Sequence, residues 1–206
     1  MKDFLAASYH IDWDADSIGS LAKTLLGEGD TEEAFVGRAF RWVRDEIRHS
    51  SDHSLNPVTC RASEVLHHRT GFCFAKSHLL AAILRAQGIP AGLCYQRLVS
   101  DQSKGSFCLH GLNAVYLVSC GWYRMDPRGN RADIRSDFTP PREQLAFTVS
   151  AGGERDLCEI HAEPHPRVLE VLETCETFVE VIECLPDSEP RLSTQREKAP
   201  EHMTDA

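Results

Sequence analysis

The stretch that most limits what this chain can fold into begins at Thr70-Gly71-Phe72-Cys73 and continues to Leu84-Arg85-Ala86-Gln87-Gly88-Ile89-Pro90. Leu79, Leu80, Ile83, Leu84 and Ala86 recur at helical spacing on one side, and Gly88 with Pro90 supplies a stop signal. The spacing predicts a helix that opens at Cys73, directly after a glycine turn. A thiol in the first turn of a helix lies beside unpaired backbone N–H groups and the positive end of the dipole. Both favour thiolate over thiol, the state a nucleophilic cysteine needs.

Two amphipathic segments precede it. From Asp16, residues Ile18, Leu21, Ala22, Leu25 and Leu26 form an apolar stripe that Gly27 ends. Asp30 with Glu33 reads as a capping box. It opens a helix striped by Phe35, Val36, Ala39, Phe40, Val43 and Ile47. Stripes of this kind are core faces rather than ligand boxes. Ahead of them, residues 1–14 alternate apolar and polar positions and are expected to form an edge strand. Arg48–Pro57 is polar and turn-rich, a loop. Ala62–Leu66 is helical in composition and leads to His67-His68, adjacent rings that point apart on a helix and belong on the surface.

After the Cys73 helix the pattern changes to strands. Ala91–Ser100 is the first, with Asp101–Gly105 as a polar loop. Phe107–Ser119, apolar on both faces, is expected at the centre of the sheet. Cys120-Gly121 marks a turn and Trp122–Met125 a third strand, ending at Asp126-Pro127. Helices first and strands afterwards indicate an α+β fold. Leu145–Val149 is expected to add one more strand. Pro166 then starts a helix carrying Val168, Leu169, Val171, Leu172 and Cys175, followed by a turn of helix through Phe178, Val179, Ile182 and Leu185.

From Glu154 to Glu189 eleven acidic residues stand against Arg155 and Arg167, and 11 − 2 leaves an excess of nine that equals the chain's net −9. A solvated acidic helix face explains this, with docking to a basic partner as the alternative. The expected organisation is a core over residues 1–150, an acidic helical extension packed on it over 151–187, and a flexible tail over 188–206. The negative charge argues against nucleic acid as a partner. The longest apolar run, Leu79–Leu84, is too short to span a bilayer. The first residues lack the apolar core of a secretory signal, so the expected location is cytoplasmic. Eight dispersed cysteines without a CxxC pair read as reduced thiols rather than disulfides or a zinc site. His161 and His165 are spaced by four, but Pro164 between them breaks the helix that would align them on a metal. No metal or cofactor is expected. The oligomeric state stays open.

His110 sits within an apolar strand, 110 − 73 = 37 residues past the cysteine, and Asp126 ends the following strand 16 residues later. Cysteine, then histidine on a buried strand, then aspartate at the end of its neighbour is the order for a thiolate–imidazolium pair with a carboxylate that orients the ring. The midpoint of 110 and 126 is 118, whereas the apparent turn centres near 120. Aligning the two requires a bulge or strand stagger.

These residues carry a resemblance. The run Arg61-Ala62-Ser63-Glu64-Val65-Leu66, then Gly71-Phe72-Cys73, Leu79 to Ala86, Gly88-Ile89-Pro90-Ala91, His110 and Trp122-Tyr123-Arg124-Met125-Asp126-Pro127 resembles the bacterial transglutaminase-like cysteine hydrolase superfamily. Phe40 to Ile47 is similar to that family's helix before the core. The resemblance covers roughly residues 17–130. It implies a papain/transglutaminase-like core with N-terminal helices packed on an antiparallel sheet, Cys73 as nucleophile, His110 as general base and acid, and Asp126 as orienting carboxylate. Members include protein crosslinkers, peptidases and enzymes that remove glycans from asparagine amides. The zinc-binding CxxC pairs of the glycan-removing members are absent, and the chain has no room for the β-domains of the calcium-dependent crosslinkers. For the oxyanion, the Cys73 backbone N–H is one expected donor and Gln96 the other. The expected activity is that of a cysteine protease, amidase or acyltransferase forming a thioester with a peptide, protein or small amide substrate. The alternative is a catalytically inactive module that binds a peptide or protein.

Overall fold

The computed structural model describes residues 1–100, 106–150 and 152–188. The polar loop expected at 101–105 and the tail beyond Ser188 lie outside the described residues. Helix α1 (Asp16–Leu25) buries Ile18, Ala22 and Leu25, and α2 (Glu32–Glu46) buries Phe35, Val36, Ala39, Phe40 and Val43. The cap of α2 differs from the expected capping box. Thr31 is the N-cap, its hydroxyl accepting from the Ala34 N–H. Asp30 instead accepts from the Gly27 N–H at 2.6 Å and pairs with Arg38. A carboxylate already held by a guanidinium and the preceding turn is not available to the helix end.

The 48–57 region is not a plain loop. It contains β1 (Arg48–His49) and the short helix α3 (Ser50–His53). After α4 (Ala62–His68), whose His67 and His68 are exposed, β2 (Thr70–Gly71) pairs in parallel with β1, His49 opposite Gly71. Residues 1–14 form no strand. They hold a 3-10 helix at Lys2–Leu5 and then a loop pinned by Trp13 Nε1 to the Leu5 carbonyl and by Asp12 to Arg61 and Ser63.

Helix α5 (Cys73–Arg85) is buried on every side rather than along one stripe. Its long polar side chains each make at least one hydrogen bond there, although His78 Nε2 is enclosed without one. Lys76 Nζ donates to the carbonyls of Arg44 and Ile47 at the end of α2. His78 Nδ1 bonds the Cys60 carbonyl at 2.8 Å, and Arg85 reaches the carbonyls of Ala6, Ala91 and Ala162. Burial drives His78 down to about 4 and Lys76 down to about 7.

Among the described residues the main sheet has four antiparallel strands in the order β5-β4-β3-β6: β3 (Ala91–Val99), β4 (Phe107–Leu117), β5 (Gly121–Met125) and β6 (Arg155–His161). α5 packs on one face, against β3 and β4. Gly111 permits the contact, since a Cβ there would stand 2.7 Å from the Phe74 ring. No strand forms at 145–149; the fourth strand is β6, which the acidic composition had hidden. Finally α6 (Pro166–Thr174) buries Val168, Val171 and Leu172, and α7 (Phe178–Glu183) buries Val181.

Candidate active site

Cys73 opens α5 behind Phe72, an N-cap with no side-chain oxygen to occupy the first N–H groups. The sheet edge beside it is free for a topological reason. β5 stops at Met125, opposite Asn113, while β4 runs six residues further to Phe107. Along that unpaired edge the Gly111 N–H donates to Cys73 Sγ at 3.4 Å, and the Leu109 N–H donates to the Pro186 carbonyl at 2.7 Å. The thiol therefore takes a donor that another strand would otherwise have used.

His110 lies between those two edge positions, its ring on the other face from Gly111. Nε2–H donates to Asp126 Oδ2 at 2.7 Å, and the Cys73 sulfur lies near enough to favour the charged ring. No bulge is needed to join His110 to Asp126. The pairs Asn113 with Met125 and Leu117 with Gly121 centre the turn on Ser119 in an unbroken register. Continued by one residue, that register sets Asp126 across from Leu112. His110 and Asp126 are then diagonal neighbours on one face, close enough for two side chains to meet.

Asp126 is fully buried, and its oxygens are filled: Oδ1 accepts from the Arg128 N–H at 3.0 Å and Oδ2 from the Ala146 N–H at 3.1 Å. Burial raises its pKa, but the His110 charge and these donors outweigh that and hold it below the ordinary value. For His110, burial pushes downward, and the Asp126 carboxylate and the Cys73 sulfur overcome it, raising the ring to about 10. The Phe147 ring stands edge-on to His110 at 4.8 Å. Thus the segment expected as a strand at 145–149 is a clamp on the aspartate and histidine, its backbone donor committed to a carboxylate instead of a ladder.

Cys73 and His110 open into a cleft of about 400 Å³, walled also by His49, Arg128, Phe147 and Leu185. Arg128 grips Asp52 of α3 through both nitrogens, at 2.7 and 2.9 Å, and Arg131 adds a contact at 3.2 Å. Ile182 of α7 and Leu185 also wall the cleft, and the Arg97–Asp187 pair at 2.7 and 2.8 Å ties the segment that follows to β3.

Gln96 is the sequence candidate that does not join this group. It pairs with His110 across the ladder, but its amide nitrogen is held by Asp156 Oδ1 at 2.9 Å and the Phe147 carbonyl at 3.4 Å. Its side chain is drawn toward β6, and Gln96 is not among the residues walling the cleft. His49 does wall the cleft, and sequence reasoning missed it because it sat in what read as a plain loop. The His161 and His165 rings pack around Tyr95, each 5.8 Å from it, and His165 Nδ1 accepts from the Arg167 N–H as a helix cap. Away from the cleft, ligand-type atoms of His10, Cys60 and Glu173 lie within 4.8 Å of one another. The His10–Glu173 ion pair at 2.8 Å accounts for two of them.

This chain belongs to the transglutaminase-like superfamily, whose family model matches residues 19–127, 109 of the 206 residues. No curated protein matches it. Among solved structures, a candidate cysteine protease from Cytophaga hutchinsonii is 22% identical with a TM-score of 0.50, over 61% of this chain and 40% of that one. The periplasmic domain of TgpA from Pseudomonas aeruginosa is 22% identical with a TM-score of 0.46, over 60% of this chain and 45% of that domain. The chain thus matches less than half the length of either. The shared architecture is the papain-like α+β core. Among the described residues no helix is long and apolar enough to cross a membrane.

Proposed function

We propose that the protein is a thiol enzyme that cleaves or exchanges an amide bond through Cys73, His110 and Asp126. The observation that carries this reading is the buried His110 ring bonded to Asp126 at 2.7 Å, with Cys73 walling the same open cleft. In the proposed cycle the Cys73 thiolate attacks a carboxamide carbon, forming the C–S bond while the C=O pair moves onto oxygen. His110 gives its proton to the departing amine as the C–N bond breaks, leaving a thioester. Water or a second amine then adds, His110 taking its proton, and the C–S bond breaks to return the thiolate. Asp126 steadies the imidazolium throughout and is not itself protonated.

The cleft volume suits a single side chain or a small amide, so the substrate is an exposed side-chain or peptide amide. The test is covalent labelling of Cys73 by a thiol-directed inhibitor at neutral pH, with Cys73→Ala and His110→Ala each expected to abolish it. Alkylation of Cys73 no faster than that of an ordinary exposed thiol sinks the reading.

A further inference from the structure

Attack on a carbonyl puts negative charge on its oxygen, and one backbone N–H at Cys73 is half of what such sites use. With the Gln96 amide nitrogen committed elsewhere, His49 is the residue of the cleft wall that has a buried side-chain atom without a hydrogen-bond partner among the described residues. His49 is 8% exposed, and its Nδ1 is enclosed with no hydrogen-bond partner. Nδ1 is the enclosed nitrogen, and Nε2 is not among the enclosed atoms without a partner, so Nε2 is the ring nitrogen left to meet a group in the cleft.

The surroundings fix both its place and its charge. β1 sets His49 beside Gly71, and the Phe72 ring stands at 5.6 Å, so the imidazole lies one residue from the turn that delivers Cys73. Asp52 Oδ2 is 3.9 Å from Nδ1, beyond hydrogen-bond range, and the Asp52 oxygens are already taken by Arg128 and Arg131. Asp52 therefore does not tie the ring's single proton to Nδ1. Burial first, then the positive charges of Arg128, Lys76 and His110, hold the His49 pKa well below the ordinary value. A neutral ring beside a charged His110 divides the labour: one histidine moves the proton while the other can only donate a hydrogen bond.

We infer that His49 is a catalytic residue whose Nε2–H binds the substrate carbonyl oxygen as the second oxyanion donor, opposite the Cys73 N–H. This rests on the reaction proposed above, and the test separates the two. Acetylation of Cys73 by p-nitrophenyl acetate passes through an oxyanion; alkylation by iodoacetamide, a displacement at saturated carbon, does not. Both rates are read at the Cys73 peptide by mass spectrometry in the wild type, His49→Phe and His49→Gln.

The ratio of acetylation to alkylation is expected to fall at least about tenfold in His49→Phe, toward the 10²–10³-fold typical of losing one donor. His49→Gln, which retains a donor, is expected to recover part of it. A ratio in His49→Phe within about threefold of wild type overturns the inference, including the case where both rates drop together because the site has been disturbed. Slow alkylation in the wild type sinks the proposed chemistry instead, and is visible without either variant.

Discussion

Replacing Asp126 by Asn removes one charge and little volume, and the geometry sets what should follow. The carboxylate and the His110 ring are in direct contact at 2.7 Å, with Asp126 fully buried and His110 5% exposed. Two unit charges about 4 Å apart at an effective dielectric of about 20 attract by about 4 kcal/mol, which is about three pKa units. That is of the size needed to lift His110 to about 10 against its own burial. In Asp126→Asn only the Cys73 sulfur remains to favour the imidazolium, and the ring should fall back toward neutrality near pH 7.

The assay is the rate of Cys73 alkylation by iodoacetamide from pH 5 to 10, with exposed Cys120, Cys158 and Cys184 as internal standards. In the wild type the rate should stay fast through neutral pH. In the variant it should be at least about tenfold slower at pH 6.5, with about 10³ as the ceiling set by 4 kcal/mol, and should converge on wild type above about pH 9. The loss should be smaller than in His110→Ala. A variant profile that overlays the wild type within about threefold at pH 6.5 refutes the claim that this carboxylate holds the charge pair.

Three further outcomes are expected. Gly111→Ala places a methyl 2.7 Å from the Phe74 ring and 3.1 Å from its backbone, so it should destabilise by about 1–3 kcal/mol and pull Cys73 from the sheet edge; unchanged urea stability with unchanged alkylation contradicts this. Asp187→Asn breaks the mostly buried pair with Arg97 and should lower urea stability by about 3 kcal/mol; a change under about 0.5 kcal/mol counts against that anchor. Stability should rise between pH 7 and 8, because Lys76, lowered from 10.5 to about 7, binds more protons unfolded than folded. The proton that His110 holds, its pKa raised from 6.5 to about 10, is matched over this range by the one the thiol of the proposed pair gives up. Lys76→Met should lose the rise, about 1.4 kcal/mol per unit at most; chemical denaturation across that range checks it, and a Lys76→Met profile that climbs like the wild type would falsify the assignment.

What the sequence made legible, and what it did not, follows from where each signal lies. α2 and α5 announce themselves because their apolar positions repeat over three turns or more. β3, β4 and β5 do so because long apolar runs are cut by turn residues. β6 escapes because its apolar positions do not mark one face. Leu157 packs on the helix-side core while Ile160 packs on the opposite cluster of Cys94 and Leu112. With one such residue on each face and most other positions exposed, the apolar residues show no period of two. The strand reads instead as part of the acidic helical stretch.

The site divides in the same way. Cys73, His110 and Asp126 each stand at the boundary or centre of a regular element, so their meeting is written in strand order and length. The diagonal offset between His110 and Asp126 could not be read, because it depends on which residue the turn centres on. Gln96 was expected as a donor from its place on the strand after the Cys73 helix, and the carboxylate that holds its amide nitrogen comes from Asp156, on the strand whose pattern did not show. His49 was hidden by the shortness of its strand. Two residues carry no periodicity, and only pairing with Thr70-Gly71 gives them a direction. The proposed nucleophile is thus encoded locally, whereas the proposed donor that would complete its pocket comes from an element too short to declare itself.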